Sequence, residues 1–222
     1  MCSVVIRDAR NVTIPEWVKN LESFSRWVET EEFPEEGRIE YLAGEIWIDM
    51  SEEQLFSHNQ VKLEFTIVVG GMVKSDRLGR FFPDGVRLNH PEVDLAVVPD
   101  AVFISNDCIQ NMRVHLVPGA SSGYIRLEGS PDMVLEVVSD GSVRKDTELS
   151  RQLYWQAGIP EYWLVDARRE TISFEILRRS AKGYVSSRKQ DGWVKSVVFG
   201  KSFRLIRAVD ALDHPTFTLE VR

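Results

Sequence analysis

Cysteine is nearly absent from the 222-residue chain: only Cys2 and Cys108 occur, and they form no Cys-x-x-Cys pair. That excludes a disulfide framework and a cysteine-based zinc module. No apolar run approaches the ~20 residues a helix needs to cross a bilayer; the longest tracts lie near 66–73 and 95–104. The first residues lack a basic stretch followed by a long apolar one, so a cytoplasmic location is expected rather than a secretory leader. Neither Gly-x-x-x-x-Gly-Lys-Ser/Thr nor Gly-x-Gly-x-x-Gly occurs, which removes support for a nucleotide-phosphate cradle. No Gly-x-Ser-x-Gly elbow supports α/β-hydrolase chemistry. Repeats, low-complexity tracts and a Pro/Gly/Ser linker are missing too. Positive charge is in deficit, with 27 Lys+Arg against 34 Asp+Glu, a net charge of −7 and a pI near 5.2. A uniformly basic nucleic-acid binder is therefore excluded, whereas a local basic patch is not.

What is present describes a globular chain. Hydrophobic residues make up 43% and charged residues 27%, close to the averages of packed domains. A chain of this length buries enough surface to be stable without staples. The expected organisation is one domain over 23–200, with an N-terminal extension over 1–22 that is part helical. A C-terminal extension over 201–222 is expected to pack on the same domain.

Thr13-x-x-Glu16 has the form of a capping box with Pro15 in the first turn. Trp17, Leu21, Phe24 and Trp27 follow at helical spacing, which predicts a helix over 15–30. Residues 38–42 and 45–50 alternate about Ala43-Gly44 as a hairpin. Ser51-x-x-Gln54 offers a second cap, and Val61, Phe65, Val68 and Met72 predict a long helix over 54–72 with His58 on the same stripe. Short strands are expected near 80–82, 86–89, 93–98 and 102–104, while 106–123 shows no clear periodicity. The run 133–138 reads as a strand, 146–157 as a helix stopped by Gly158 and Pro160, and 161–166 and 171–178 as strands. Further strands are expected near 184–188, 193–199 and 217–221. A strand–helix–strand unit implies a parallel pair, so the class is α+β, or mixed α/β.

Two acids interrupt apolar tracts. Glu136 sits inside Met133-Val-Leu-Glu-Val-Val138, which reads as a central strand covered on both faces. An ionised carboxylate buried there needs a metal, an Arg or Lys, or a raised pKa; the alternative is a strand end facing solvent. Asp100 interrupts a second tract, between 93–99 and 101–104, although Pro99-Asp100 is also an ordinary turn. Acids on neighbouring strands can hold a hard divalent cation, with water and substrate phosphate as its other ligands. Such a cation activates water for attack on a phosphodiester. Arg178, Arg179, Lys182, Arg188, Lys189 and Lys195, interleaved with Tyr184 and Trp193, are either a phosphate contact or the solvated side of a strand pair. Tyr154, Trp155, Tyr162 and Trp163 read as core aromatics.

Several of these residues fall into blocks that resemble a known family. Glu40-Tyr-Leu-Ala-Gly-Glu45, His58, Pro99-Asp100, Pro131-Asp-Met-Val-Leu-Glu-Val-Val-Ser139 and Tyr154-Trp-Gln-Ala-Gly-Ile-Pro-Glu-Tyr-Trp-Leu-Val-Asp166 look like the Uma2 endonucleases (DUF820). That family is a branch of the PD-(D/E)xK, restriction-endonuclease-like superfamily. The resemblance extends from Ser23 to Leu177 in the family's order, and the block 157–166 is its most specific part. It implies a restriction-endonuclease-like central mixed sheet flanked by helices, and Mg²⁺- or Mn²⁺-dependent hydrolysis of DNA. A homodimer would suit the cutting of two strands. Carried over position by position, Asp100 takes the acidic PD place and Glu136 the first place of ExK, with the Val137 carbonyl completing a metal site. Asp132, which also follows a proline, is the rival to Asp100.

The chain departs from the family pattern at its lysine. Val138 fills the ExK lysine place, and Ser150 fills the place on the next helix from which relatives supply one. Lys145 is the substitute this sequence offers, with Arg144 and Arg151 as nearby cations. A lysine there orients the attacking water or steadies developing charge, whereas an arginine supplies charge but no base. His58 is expected to bond a site carboxylate or the phosphate, or else to sit satisfied at the core edge. Glu40 and Glu45 divide between the site and the hairpin's solvent face, Glu45 being the weaker choice for the site. His90, His115 and His214 receive no role. The missing lysines keep a second reading open, a nuclease-derived scaffold that binds nucleic acid or protein without cutting. The two readings separate on whether the Lys145 ammonium comes within ~4 Å of the carboxylate pair.

Overall fold

The acid-interrupted tract Met133–Val137 is buried at every position and lies inside a six-stranded sheet. It is parallel to Glu161–Asp166 on one side and antiparallel to Ala101–Ser105 on the other. With both edges paired and both faces covered, the strand tolerates an almost unbroken apolar sequence. The computed structural model describes residues 3–7, 12–119 and 122–222, so Cys2 lies outside the described residues. This sheet runs Gly183–Ser186, Ser173–Ser180, Glu161–Asp166, Met133–Val137, Ala101–Ser105, Gly79–Pro83. A seven-stranded sheet runs Ser3–Arg7, Glu45–Asp49, Arg38–Leu42, Leu95–Val97, Arg87–His90, Tyr124–Gly129, Val114–Pro118. The chain passes from this sheet to the first one through Val98, Pro99 and Asp100. A third, four-stranded sheet is built from Lys189–Gln190, Trp193–Lys195, Ser202–Val209 and Pro215–Val221. The molecule is mixed α/β, and the expected parallel pair is present.

Besides the short 3-10 turn Pro91–Val93, four helical stretches among the described residues cover these sheets. They are α1 (Leu21–Val28), α2 (Leu55–Gln60, Val61–Phe65, Thr66–Gly70 and Gly71–Ser75 in succession), α3 (Asn106–Gln110) and α4 (Lys145–Ser150 followed by Arg151–Gln156). In α2 and α4 the first segment has the wider π-type turn, and these turns carry His58 and Lys145. Wide turns of this kind occur frequently at functional sites. A second wide turn over Thr66–Gly70 moves the buried stripe of α2 to Val61, Phe65, Val69 and Val73, one residue past the expected Val68 and Met72.

Local capping accounts for the other differences from expectation. The predicted helix over 15–30 starts only at Leu21, because Asn20 and Ser23 form a reciprocal capping box. Pro15 instead closes a turn, its carbonyl accepting the Val18 N–H. The N-terminal extension contributes a strand, Ser3–Arg7, paired in parallel with Glu45–Asp49. Gln54, not Ser51, caps α2, its side-chain oxygen accepting the Phe56 and Ser57 N–H groups. The stretch 106–123, which shows no period, holds α3 and the strand Val114–Pro118; both are too short to display one. Ser202–Val209 was not expected as a strand, yet it pairs with Trp193–Lys195 and Pro215–Val221.

Three apolar clusters fix the layers. Val134, Leu153, Tyr154 and Tyr162 pack between the six-stranded sheet and α4, where they meet Leu42, Trp47, Leu88 and Val97 of the seven-stranded sheet. Met133, Leu135, Val137 and Trp163 face α2 and the four-stranded sheet, with Phe203, Phe217 and Leu219 from the C-terminal strands. Trp163 lies edge-on or tilted against Phe65, Phe174, Phe199 and Phe203. Burying a ring of this size contributes on the order of 1.5–3 kcal/mol. A third cluster holds α1 on the seven-stranded sheet through Phe24, Trp27, Tyr41 and Ile46. Among the described residues no helix is long and apolar enough to cross a membrane.

Cys108 on α3 is fully buried, and burial, with Asp132 adding to it, pushes its thiol up to about 12. Only a thiolate attacks an alkylating reagent. Iodoacetamide at about pH 8 should therefore leave Cys108 unmodified in the folded protein and modify it in denaturant, as read by peptide mass spectrometry. Native labelling at the denatured level would contradict this environment.

Candidate active site

Alternation along Met133–Val137 sends Leu135 and Val137 toward α2 and sends Glu136, with Val134, toward α4. Glu136 Oε1 there accepts a 2.6 Å hydrogen bond from the Tyr154 hydroxyl, while its Oε2 is buried with no hydrogen-bond partner. Burial pushes the Glu136 carboxyl well above its ordinary 4.5, against Lys145 and with help from Asp146, Asp100 and Glu40. Tyr154, read as a core aromatic, is fully buried but also holds the central acid, so it belongs to the site. Its own value is raised by burial and by Glu136, which keeps the hydroxyl protonated and donating.

Asp100 reaches the same strand from the crossover between sheets. Its Oδ2 accepts the Val137 N–H at 2.7 Å, one residue from Glu136. A residue's N–H and C=O point to the same strand edge, so the Val137 carbonyl lies on the Asp100 side. Arg38 binds Asp100 Oδ1 at 3.0 Å, Lys62 stands 3.9 Å from that oxygen, and His58 Nε2 stands 3.6 Å from Oδ2. Burial alone would raise the Asp100 carboxyl, but Arg38, His58 and Lys62 override it and hold it below its usual range. Lys62 and His58 also gather Glu53 and Asp84: Lys62 lies 2.7 Å from each, and His58 Nδ1 lies 3.6 Å from Glu53. Glu53 is in turn lowered, chiefly by the neighbouring His58 and then by Lys62.

Lys145 does not join the Asp100–Glu136 pair as expected. Its ammonium bonds Glu40 Oε2 at 2.9 Å and stands 3.2 Å from Asp146 Oδ1, and these are its carboxylates within 4.0 Å among the described residues. Burial would lower the Lys145 ammonium, yet Asp146, Glu40 and Glu136 raise it above its ordinary value. Glu40 is fully buried and accepts the Val98 N–H at 2.7 Å, so it belongs to the site and not to a solvent face. Glu45 is half-buried beside the turn, at the far end of the hairpin from Arg38 and Asp49. Val138 and Ser150 are both buried, so neither place leaves room for a lysine head group reaching water. Arg144 is exposed and faces Glu148, and Arg151 bonds the Tyr184 carbonyl.

The remaining expected residues lie elsewhere. Asp132 accepts the Ser105 N–H at 2.6 Å and pairs with Arg113 at the opposite end of the Glu136 strand. Arg178 pairs in register with Glu161, also at that end, and lines a separate cleft of about 610 Å³ with Arg179 and Asp132. Arg178 and Arg179 therefore do not flank Glu136. His90 meets Ser130 Oγ at 3.2 Å, and His214 stacks on Phe56.

Arg38, Glu40, Glu53, His58, Asp84 and Lys145 line one cleft of about 370 Å³. Asp100 and Glu136 do not line it themselves but are buried behind its wall, in two carboxylate clusters that differ in charge. Around Asp100, three carboxylates meet Arg38, Lys62 and His58. Around Glu136, Glu40 and Asp146 pair closely with Lys145, and Arg38 acts on Glu136 and Glu40 from further off. Burial raises the Asp146 carboxyl, as it does that of Glu136. Two neighbouring acids pushed in opposite directions are the pattern of an acid–base or metal site.

The sequence profile of the Uma2 family, described as "Putative restriction endonuclease", matches residues 21–205. The chain belongs to the Uma2 family. A crystal structure from Anabaena variabilis ATCC 29413, described as "a putative nuclease belonging to DUF820", has the same fold. It aligns with a TM-score of 0.59 at 20% sequence identity, covering 82% of this chain and 90% of its own. None of the curated proteins compared with the chain matches it. The Uma2 match spans Arg38, Glu40, Asp100, Glu136 and Lys145, so the whole cleft lies within the family region. Arg38, Lys62, Glu53, Asp84 and Asp146 escape sequence reasoning, because nothing local in the sequence marks a charged residue as turned toward Asp100 or Glu136.

The buried acids behind this Uma2 cleft have the donor chemistry a divalent cation needs. Glu136 Oε2 is an unpartnered buried oxygen, and the carboxyl groups around it outnumber the cations. Among the described residues no three His, Cys, Asp or Glu side chains form a ready-made cage. Mg²⁺ needs none, because it takes one or two carboxylates and completes its shell with water and phosphate.

Proposed function

We propose that the cleft hydrolyses phosphodiester bonds of DNA with Mg²⁺ or Mn²⁺ bound by Asp100, Glu136 and the Val137 carbonyl. One observation carries this reading: Asp100 is held ionised, while Glu136, on the adjoining strand, is buried with a bare oxygen and a raised pKa. A bound divalent ion would polarise the phosphate and lower the pKa of a water in its shell. The chain's own groups do the rest. Tyr154 fixes the Glu136 rotamer by its hydrogen bond, and Arg38 and His58 hold Asp100 in place. Lys145, anchored on Glu40 and Asp146, places one positive charge at the cleft wall, where charge builds on the phosphate. A dimer, one cleft per strand, is the assembly that double-strand cutting would use.

The scaffold reading is favoured by one observation, the seating of Lys145 on Glu40 and Asp146. Supercoiled plasmid incubated with Mg²⁺ or Mn²⁺ separates the two. Nicking or linearisation by the wild type that disappears in Asp100→Asn supports the nuclease. A wild type that binds DNA and divalent ion but cuts neither plasmid nor single strands supports the scaffold.

A further inference from the structure

Cations are scarce at this cleft, and all but one are committed to acids. Arg38, Lys62 and Lys145 each lie within 4.0 Å of two or more carboxylates. Arg87, which lines the same cleft, has no carboxylate within that distance among the described residues. Its nearest acidic influence is Glu40, whose two oxygens are taken by the Val98 N–H and Lys145. The neighbouring Arg126 is paired with Glu29 and offers Arg87 only repulsion.

The Arg87 guanidinium is nevertheless held firmly. It lies over the rings of Phe24 and Phe33, at 5.7 and 5.6 Å from their centroids, and donates to the Ile39 carbonyl at 3.2 Å. Five N–H donors are available to an arginine, and none of the Arg87 nitrogens is both buried and unpartnered. The free donors therefore open onto the cleft. Arg87 begins its strand beside Leu88, which pairs with Val97, so it stands at the strand end from which the chain runs on to Asp100. A planar fork fixed by two rings, without a counter-ion, matches the oxygens of a phosphodiester.

We infer that Arg87 anchors a backbone phosphate of the bound strand, positioning the chain across Asp100 and Glu136. The assignment rests on the nuclease reading and adds the contact that lets an acidic cleft take a polyanion. Binding of a fluorescently labelled DNA duplex, with Ca²⁺ as the divalent ion, is measured over a series of salt concentrations. Each phosphate contact contributes about 0.9 to the slope of log affinity against log salt. Arg87→Gln, which removes the charge and keeps a polar side chain, should lower the slope by about that amount and weaken duplexes of unrelated sequence equally. Arg87→Lys should restore the slope. An unchanged slope in a folded Arg87→Gln, with the wild type binding normally, overturns the Arg87 assignment alone. A wild type that binds neither duplex nor single strand under these conditions overturns the nuclease reading and this assignment together. Thermal melts of both variants establish that they are folded, and Arg87→Lys serves as the comparison if Arg87→Gln is not.

Discussion

Glu136→Gln should cut the rate of DNA cleavage by a factor on the order of 10³, the scale for losing one preorganised electrostatic group. It should do so without unfolding the protein. Gln keeps the shape of the side chain and an oxygen to accept the 2.6 Å bond from Tyr154, but removes a charge that burial disfavours. The pH dependence follows from the direction of the shift. Between the ordinary 4.5 and the raised folded value, the folded state holds a proton that the unfolded state has released. Stability that Glu136 contributes is thus complete at acidic pH and is lost as the pH rises through the folded value. The variant lacks that loss, so at about pH 8 its melting temperature should equal or exceed that of the wild type. Melting curves across the pH range, beside plasmid cleavage, check both halves. A variant that still cuts at the wild-type rate would remove Glu136 from the chemistry. One that melts well below the wild type at alkaline pH would show that the ionised carboxylate is stabilising.

The same residue shows what can be read from sequence here. Glu136 and Asp100 were visible because each breaks an apolar run, and a buried charge without a reason is costly. The parallel pairing of Met133–Val137 with Glu161–Asp166 was visible because a helix with a glycine stop separates the two; Gly158 does adopt φ +78°. Their partners were not visible. Arg38 meets Asp100 across 62 residues, and Lys145 meets Glu40 across 105, and no local pattern records such a meeting. Glu40 was misleading for a further reason. It alternates with the buried Ile39 and Tyr41, which usually means a solvent face, but the cleft and α4 cover that face as well. The basic run from Arg178 failed differently. Its composition suits phosphate, but the register of Arg178 with Glu161, and of Glu161 with Met133, puts the start of the run at the opposite end of the sheet from Glu136.

Lys145→Met should produce the largest loss of stability of any single change in the cleft. Lys145 is 1% exposed and is the only cation within 4.0 Å of Glu40 and Asp146 among the described residues. Removing one partner of a buried ion pair typically costs 3–5 kcal/mol, because the other charge stays buried and unpaired. For a chain of this size that is a fall in melting temperature of roughly 6–20 °C. Lys145 itself titrates above its ordinary 10.5, so in the wild type its stabilising charge is fully present through neutral pH. In the variant the stranded carboxyl groups can be relieved only by protonation. The deficit should therefore be greatest near pH 8 and shrink toward pH 5, where the folded state takes up protons that the unfolded state gives away. Glu40→Gln in the Lys145→Met background should recover part of the loss, since it removes one of those carboxylates while keeping an acceptor for the Val98 N–H. Cleavage should not recover with it, because the double variant still lacks the positive charge at the cleft wall. Melts at two pH values and plasmid cleavage separate the outcomes: recovery of both stability and activity would make Lys145 a structural cation alone, and a deficit independent of pH would place its cost in lost packing rather than in charge.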